Sequence, residues 1–409
     1  MHKKIISVFV LILIISQNAY AVTPSAKSAV LIDLEGANIL YQKNAYQKLP
    51  MASTTKIMTA ICAIENGNLD DTVEVDKRAV GVEGSSMYLG YGEKITLKNL
   101  LYGLMLASGN DAAVAISIHI SGSVEEFVKL MNETAKKIGA KDTSFETPNG
   151  LDGDLHYTTA YDLALITRYA LKNKDFKNIV KTEKITIPWD GKDYGRTLTN
   201  HNKLLKTYDG ATGVKTGFTK KSGRCLVSSA KKDGTEVVAV TLNCPNDWVE
   251  HTNMLNYAFD NYKTVKVIKK GDYAKSFDVD FSNVKSVESE FLNDVNVLVN
   301  KNEKNEILIK YETETHLKAP VKFNQKTGTV KVILNGNVVG QTDIVTKCAA
   351  DEKEIKRLSY EFKSILIKYI QGVNENTNER NKIAKISCYG KYCFKKSIGT
   401  VYFRRQSEG

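Results

Sequence analysis

A chain of 409 residues, 42% hydrophobic, 25% charged and 9% aromatic, has globular composition, which excludes disordered, fibrous and small disulfide-stapled classes. At roughly 100–200 residues per domain, this length calls for two domains with ample core. The net charge of +11 raises nucleic-acid binding as a class, a reading that depends on where the basic residues sit.

Lys3 and Lys4 precede the apolar run Ile5–Ile15 and the small-residue site Ala19-Tyr20-Ala21. That order predicts a secretory signal peptide over 1–21, because the run is shorter than the roughly 20 residues that span a bilayer. No other apolar stretch of the sequence is long enough to cross a membrane.

From 22 to 262 the pattern mixes helices with short strands and predicts an antiparallel sheet with a helical cluster. Ala29–Asp33 and Ile39–Tyr41 flank Gly36-Ala-Asn38 as a hairpin. Thr54 to Glu65 carries Ile57, Met58, Ile61 and Ile64 on one helical face and stops at Asn66-Gly67. Helices over Leu97–Leu106 and Asp111–His119 are separated by Ser108-Gly109-Asn110. Arg224–Ser228 and Val237–Leu242 read as strands, and Trp248–Tyr262 as a helix.

The texture then changes to strands alone. Val265–Ile268, Phe277–Phe281, Val295–Val299, Ile307–Tyr311, Val330–Leu334 and Val338–Gly340 predict a small all-β sandwich over 263–347, with Asn335-Gly336 as a tight hairpin turn. Over 349–371, Ile355, Leu358, Phe362, Ile365, Leu366, Tyr369 and Ile370 recur at helical spacing opposite Lys353, Lys356, Arg357, Lys363 and Lys368. This predicts an amphipathic helix lying on a membrane surface. The tail 372–409 sets eight basic residues against Glu375, Glu379 and Glu408, and reads as an unstructured basic appendage of unassigned role.

Six cysteines, Cys62, Cys225, Cys244, Cys348, Cys388 and Cys393, have no CxxC pairing and are expected to be free, Cys62 and Cys225 in the core. Histidine is scarce and no HExxH or clustered set occurs, so neither metal nor cofactor is expected.

Ser53-Thr-Thr-Lys56 at a helix start places a hydroxyl and an amine one turn apart on one face. A serine needs a base to attack at neutral pH, and a desolvated lysine beside a second cation can serve. The pattern alone is weak, since Ser228/Lys231, Ser229/Lys232 and Ser282/Lys285 share it. Order strengthens it: Ser108-Gly109-Asn110 follows at an interhelix break, and Lys215-Thr216-Gly217 precedes a strand. S-x-x-K, S-x-N and K-T-G form the set shared by penicillin-binding proteins and class A β-lactamases. The decoys Ser16-Gln17-Asn18 and Lys326-Thr327-Gly328 lack partners in that order within one domain.

The segments Pro50–Thr59, Leu106–Ala113 and Gly213–Thr219 resemble the active-site segments of low-molecular-mass penicillin-binding proteins that are serine D-alanyl-D-alanine carboxypeptidases. Ser86–Leu89, Pro148–Asp152, His156–Ala160 and Asn200–Leu205 are similar too, from about Val22 to Gln371. The resemblance implies an α+β, β-lactamase/transpeptidase-like catalytic domain followed by the β domain and the helix. It also implies removal of the terminal D-Ala from peptidoglycan stem peptides, and acylation by β-lactams, outside the cytoplasm.

By that resemblance Ser53 attacks the carbonyl, Lys56 takes its proton and Ser108 relays a proton to the leaving amine. Lys215 depresses the Lys56 pKa and, with Thr216, holds the terminal carboxylate. Gly217 lets the strand approach the substrate, the N–H groups of Ser53 and Phe218 form the oxyanion hole, and Asn110 holds the substrate amide. His156, Asp111 and Arg224 are expected to be structural.

A serine β-lactamase is the alternative enzyme, but Glu146-Thr-Pro-Asn149 is one residue short of the Glu-x-x-x-Asn deacylation element. A non-turnover penicillin-binding sensor is the non-enzyme alternative. Much of the charge excess sits at the two ends, which fits export and a membrane surface and leaves no role for nucleic acid.

Overall fold

The computed structural model describes residues 25–353, 359–368, 387–389, 392–397 and 400–405. The expected signal peptide lies outside the described residues. The contacts form two compact units, one holding the chain up to Lys269 with Asn293–Tyr311 and Val330–Thr342, the other holding Lys270–Leu292, Glu312–Thr329 and the chain from Asp343.

In the first unit, β1 (Ser28–Asp33) and β2 (Ile39–Lys43) lead to a 3₁₀ turn (Ala52–Thr55) and α1 (Lys56–Asn66). The paired strands β3 (Thr72–Glu74) and β4 (Lys94–Thr96) precede α2 (Leu97–Leu106), α3 (Asn110–Ser121), α4 (Val124–Ile138), α5 (Ala160–Leu171) and α6 (Lys174–Lys181). Then come β5 (Lys184–Ile187), β6 (Arg196–Thr199), the single turn α7 (Leu204–Thr207), β7 (Ala211–Thr219), β8 (Gly223–Lys232), β9 (Thr235–Leu242) and α8 (Asp247–Asn261).

Several helix ends follow local chemistry. Thr96, Ser123 and Thr159 each accept a backbone N–H at an N-terminus, and Gly122 and Gly139 end α3 and α4 with φ of 78° and 93°. Helices α4, α5 and α6 belong to the expected helical cluster, in which the sequence reading did not separate them.

The antiparallel sheet runs β2-β1-β9-β8-β7. Every residue of β1 and β9 is buried, as expected for strands covered on both faces. Alternation divides them: Val30, Ile32, Val227, Val238 and Val240 join the core of Ile57, Ile61, Leu104 and Phe127. Ala29, Leu31, Leu226, Val237 and Ala239 face Met254, Leu255 and Ala258 of α8. Each fully buried large apolar side chain contributes about 1.5–3 kcal/mol. Strand β7 ends the sheet order, so among the described residues no strand pairs with its other edge.

The remaining strands are β10 (Tyr262–Ile268), β11 (Tyr273–Asp280), β12 (Ser286–Phe291), β13 (Val295–Asn300), β14 (Ile307–Thr313), β15 (His316–Lys318), β16 (Lys326–Leu334) and β17 (Asn337–Thr346). Antiparallel β10 and β13 pair in the first unit. In the second, β11 pairs β12, β15 lies parallel to β11, and Ser289 faces Thr346 across β12 and β17. Asn335 and Gly336, with φ of 49° and 84°, make the expected turn. Strands β12 and β15 are additional to those expected. Ser-Val-Glu-Ser-Glu-Phe hides its period because Ser289 is as buried as Val287.

The expected helix over 349–371 needs correction at its start. Ala350 bridges Val321 and Glu352 bridges Ser282, so these residues are extended, and the described helix covers 359–368. Short chain pairing satisfies backbone groups there that a helix start would leave bare. The tail forms β18 (Ser387–Tyr389), β19 (Tyr392–Ser397) and β20 (Thr400–Arg405), antiparallel in sequence order, where an unstructured appendage was expected.

Candidate active site

The 3₁₀ turn presents Ser53. Thr54 Oγ1 donates to Met51 O and Thr55 Oγ1 to Ala52 O, which tightens the chain into α1. Ala52 holds φ at 48°, a strained value for a residue with a side chain, of the kind that clusters at functional sites. Ser53 is partly exposed, while Lys56, three residues on, is fully buried.

Lys56 Nζ donates to Ser53 Oγ at 3.0 Å, to Asn110 Oδ1 at 2.6 Å and to Asn149 O at 2.6 Å. All three acceptors are neutral, so no carboxylate compensates the buried ammonium directly. Burial, then the charge of Lys215, push the Lys56 amine well below the ordinary lysine range, with Asp111 opposing weakly. A neutral amine on a serine hydroxyl is the arrangement of a general base on its nucleophile.

Lys215 lies on β7 and is also buried, with its pKa pulled down to about 7 by desolvation; its Nζ donates to Thr216 O at 2.9 Å. The β7 strand passes very close to the 3₁₀ turn. A Cβ on Gly217 would sit 3.1 Å from Met51 O, Ser53 N and Thr54 N, so only glycine fits without displacement. Phe218, the next residue, is exposed.

Ser108 is buried at the break between α2 and α3 with φ of 59°. It lines the same cleft as Ser53, Thr216 and Phe218, but is not among the acceptors of Lys56. Asn110 is engaged at both ends, accepting from Lys56 and donating through Nδ2 to Glu83 O at 2.5 Å. The eight residues singled out in the sequence therefore converge on the turn, the interhelix break and the β7 edge.

Two contributors were not assigned roles from the sequence. The Asn149 carbonyl completes the Lys56 shell, and Gly150, at φ 87°, brings that loop against Ala52 O. Their signals were the Pro-Asn-Gly turn chemistry and the resemblance of Pro148–Asp152 to the family. Arg224, expected to be structural, lines the cleft together with His201.

The residues expected to be structural divide clearly. His156 Nδ1 accepts from Glu146 N at 3.0 Å, so its Nε2 carries the proton and donates to Thr55 Oγ1 at 2.8 Å. Burial lowers its pKa to about 4, and it serves as a neutral brace behind the turn. The Asp111 carboxylate accepts from Ser86 Oγ and from the backbone N–H of Met87, Leu89 and Ala112, which moors the 86–89 loop. The Glu146 carboxylate accepts from Leu155 N, an ordinary loop bond.

The strand decoys are explained by geometry: Ser228, Ser229, Lys231 and Lys232 lie on β8, where residues three apart point to opposite faces. No group of three metal-capable side chains occurs among the described residues. Cys62, Cys225 and Cys244 are buried and free, and Cys348 is exposed and free. Burial raises Cys62 to about 12 and Cys225 to about 11, which keeps both inert.

Comparison with known proteins agrees with this geometry. The family described as D-alanyl-D-alanine carboxypeptidase matches residues 15–246, and the C-terminal domain of penicillin-binding protein 5 matches residues 262–352. D-alanyl-D-alanine carboxypeptidase DacF of Bacillus subtilis is 35% identical over 331 residues, covering 79% of this chain and 85% of that protein. DacC of Escherichia coli, of the same description, is 31% identical, covering 80% and 85%. Among solved structures, penicillin binding protein 5 from Haemophilus influenzae superposes with a TM-score of 0.66 at 28% identity, covering 81% of this chain and 98% of that one. Matched by these family models over both parts of the chain and by relatives over most of its length, the chain belongs to the D-alanyl-D-alanine carboxypeptidase family and is a serine-type hydrolase.

Proposed function

We propose that this DD-carboxypeptidase removes the terminal D-Ala of peptidoglycan stem peptides through an acyl-enzyme on Ser53, and that penicillins acylate the same hydroxyl. The observation that carries the assignment is Lys56 Nζ at 3.0 Å from Ser53 Oγ, fully buried, with burial and the neighbouring Lys215 pushing its pKa well below the ordinary lysine range.

Lys56 takes the Ser53 proton as Oγ attacks the carbonyl carbon. Charge developing on the carbonyl oxygen is met by the N–H groups of Ser53 and Phe218, on the turn and strand that pass so close at Gly217 that an added Cβ would crowd Ser53 N. Ser108 relays the proton held by Lys56 to the leaving amine nitrogen as the C–N bond breaks, and D-Ala departs. Water then attacks the ester carbonyl, and Lys56 takes its proton and returns it to Ser53 Oγ as the ester bond breaks. Asn110 holds the substrate amide once one of its two protein bonds exchanges, Lys215 keeps Lys56 deprotonated, and Thr216 with Lys215 lies where the terminal carboxylate arrives. The acyl part of the substrate adds along the open edge of β7.

Release of D-Ala from a diacyl-Lys-D-Ala-D-Ala peptide, abolished in Ser53→Ala with the fold retained, is the expected result. Rapid penicillin hydrolysis without D-Ala release would instead favour the β-lactamase reading.

Enzymes of this family work outside the cytoplasm, and we propose export through the segment 1–21. For the other end we propose peripheral attachment through the helix over 359–368, which exposes Tyr360, Ile365, Leu366 and Ile367. No helix among the described residues is long and apolar enough to cross a membrane. Deleting the chain after Ala349 is expected to release the protein from membranes; unchanged sedimentation would refute the anchor.

A further inference from the structure

The family match ends at residue 352, and the tail beyond it carries two cysteines, Cys388 and Cys393. The four residues between them do not make a CxxC motif, and spacing along the chain gives no reason to join them. The ladder does. Strands β18 and β19 pair antiparallel with Ser387 opposite Phe394, Cys388 opposite Cys393 and Tyr389 opposite Tyr392. Only Gly390 and Lys391 separate Tyr389 from Tyr392 in the sequence, a connection of hairpin length that leaves the register little freedom.

Opposed residues of an antiparallel pair share one face of the sheet, with Cα atoms about 4.5 Å apart in one kind of pair and about 5.5 Å in the other. A disulfide spans Cα separations of roughly 4.4–6.8 Å, so either kind of pair accepts the bond without moving the backbone. A slip of one residue would put the two cysteines on opposite faces, so the match is specific to this register.

The small sheet also needs a staple. Its strands have 3, 6 and 6 residues, and among the described residues they pair with no other strand. Units below about 40 residues bury too little surface to hold a fold unaided and usually take a disulfide, a metal or a partner chain. The other cysteines offer no better match: Cys62, Cys225 and Cys244 are buried, which leaves Cys348 as the one exposed competitor among the described residues. Outside the cytoplasm, where enzymes of this family work, disulfides form and persist.

We infer that Cys388 and Cys393 are joined by a disulfide that staples the β18–β20 sheet of the tail. The bond fixes the register and with it keeps Tyr389, Tyr392, Phe394 and Phe403 together on the face away from the bridge. Its formation rests on the export proposed above. Closing it removes two protons and two electrons from the two thiols. The acceptor is an oxidised disulfide, of a thiol–disulfide oxidoreductase or of a small thiol. One cysteine thiolate attacks it and releases a thiolate; the other attacks the mixed disulfide, releases the second thiolate and leaves the Cys388–Cys393 bond.

The test uses the full chain, residues 1–21 included, made in a secreting host, blocked with N-ethylmaleimide before any reductant and cut with trypsin. Cleavage after Lys385, Lys391 and Lys395 places Cys388 in 386–391 and Cys393 in 392–395, so the bridge is read as one species holding both peptides, which reduction splits. That species is the expected result, with maleimide on Cys348. A mature N-terminus at Val22 reports export separately. If the chain stays unprocessed, the export reading fails, and equilibration with reduced and oxidised glutathione decides on the pair. The linked peptides should then form at a glutathione ratio about tenfold more reducing in native buffer than in concentrated urea, because the ladder raises the effective concentration of one thiol at the other. Maleimide on both cysteines of the exported protein, a bridge from either to Cys348 or to a second chain, or equal glutathione ratios in buffer and urea overturns the inference.

Discussion

Replacing Gly217 tests how closely β7 must approach the nucleophile turn. A Cβ there lies 3.1 Å from three backbone atoms, Met51 O, Ser53 N and Thr54 N, whereas comfortable carbon contacts begin near 3.5 Å. Backbone on both sides cannot rotate away, so in Gly217→Ala strand and turn must part by about half an ångström. Overpacking costs about 1–3 kcal/mol. Relief of glycine's entropy in a strand returns about 0.5–1 kcal/mol, so the net loss of stability is about 0–2.5 kcal/mol.

Function is far less tolerant, because oxyanion donors must lie within about 2.7–3.1 Å of the oxygen and losing one costs about 10²–10³-fold. A half-ångström opening should therefore slow acylation by about 10–100-fold, and Gly217→Val more than Gly217→Ala. The assay is the second-order rate of labelling by a fluorescent penicillin, read beside thermal unfolding. If Gly217→Ala labels within twofold of wild type at an unchanged melting temperature, the close-approach argument is wrong.

Other consequences follow from the same contacts. Acylation needs neutral Lys56, so the rate should fall on acidification through a pKa well below the ordinary lysine value. Removing the neighbouring cation in Lys215→Met should lower the rate and move that acid limb to higher pH, and a limb that stays in place would contradict the coupling. His156 and His251 are buried neutral, with pKa values lowered to about 4 and about 3. The unfolded chain binds these protons below about pH 6.5 and the folded one does not, so stability should decline from there towards pH 4. A denaturant midpoint that is flat over this window in wild type, or equally steep in His156→Asn, would argue against it. Asp111→Ala strips partners from the buried N–H groups of Met87 and Leu89 and should cost about 3–5 kcal/mol of stability, with Asp111→Asn less severe. Equal melting temperatures for Asp111→Ala and wild type would show that the loop does not depend on this carboxylate.

The parts of the site that repeat a local pattern were legible in the chain. Ser53 and Lys56 are joined by helical spacing, and Lys215 and Gly217 by a strand that ends at an open edge. What could not be read was convergence between distant segments. The Asn149 carbonyl that holds Lys56 is 93 residues away from it, and a backbone atom carries no residue-type signal. Arg224 was expected to be structural, and its ion pair with Asp247 is; that it also lines the cleft depends on how β8 meets α8. In the fold, β1 and β9 announced themselves by apolar runs. Strand β12 did not, because a buried serine occupies a core position, and the helix expected from 349 starts later because Ala350 and Glu352 form isolated bridges with Val321 and Ser282.

The most direct test of the central claim is the mass of the intact protein after exposure to benzylpenicillin, followed by mapping of the modified peptide. A single adduct of one penicillin on Ser53, absent in Ser53→Ala and strongly slowed in Lys56→Met, is the expected result. An adduct on any other residue, or labelling of Ser53→Ala at the wild-type rate, would contradict a Lys56-activated Ser53 as the nucleophile.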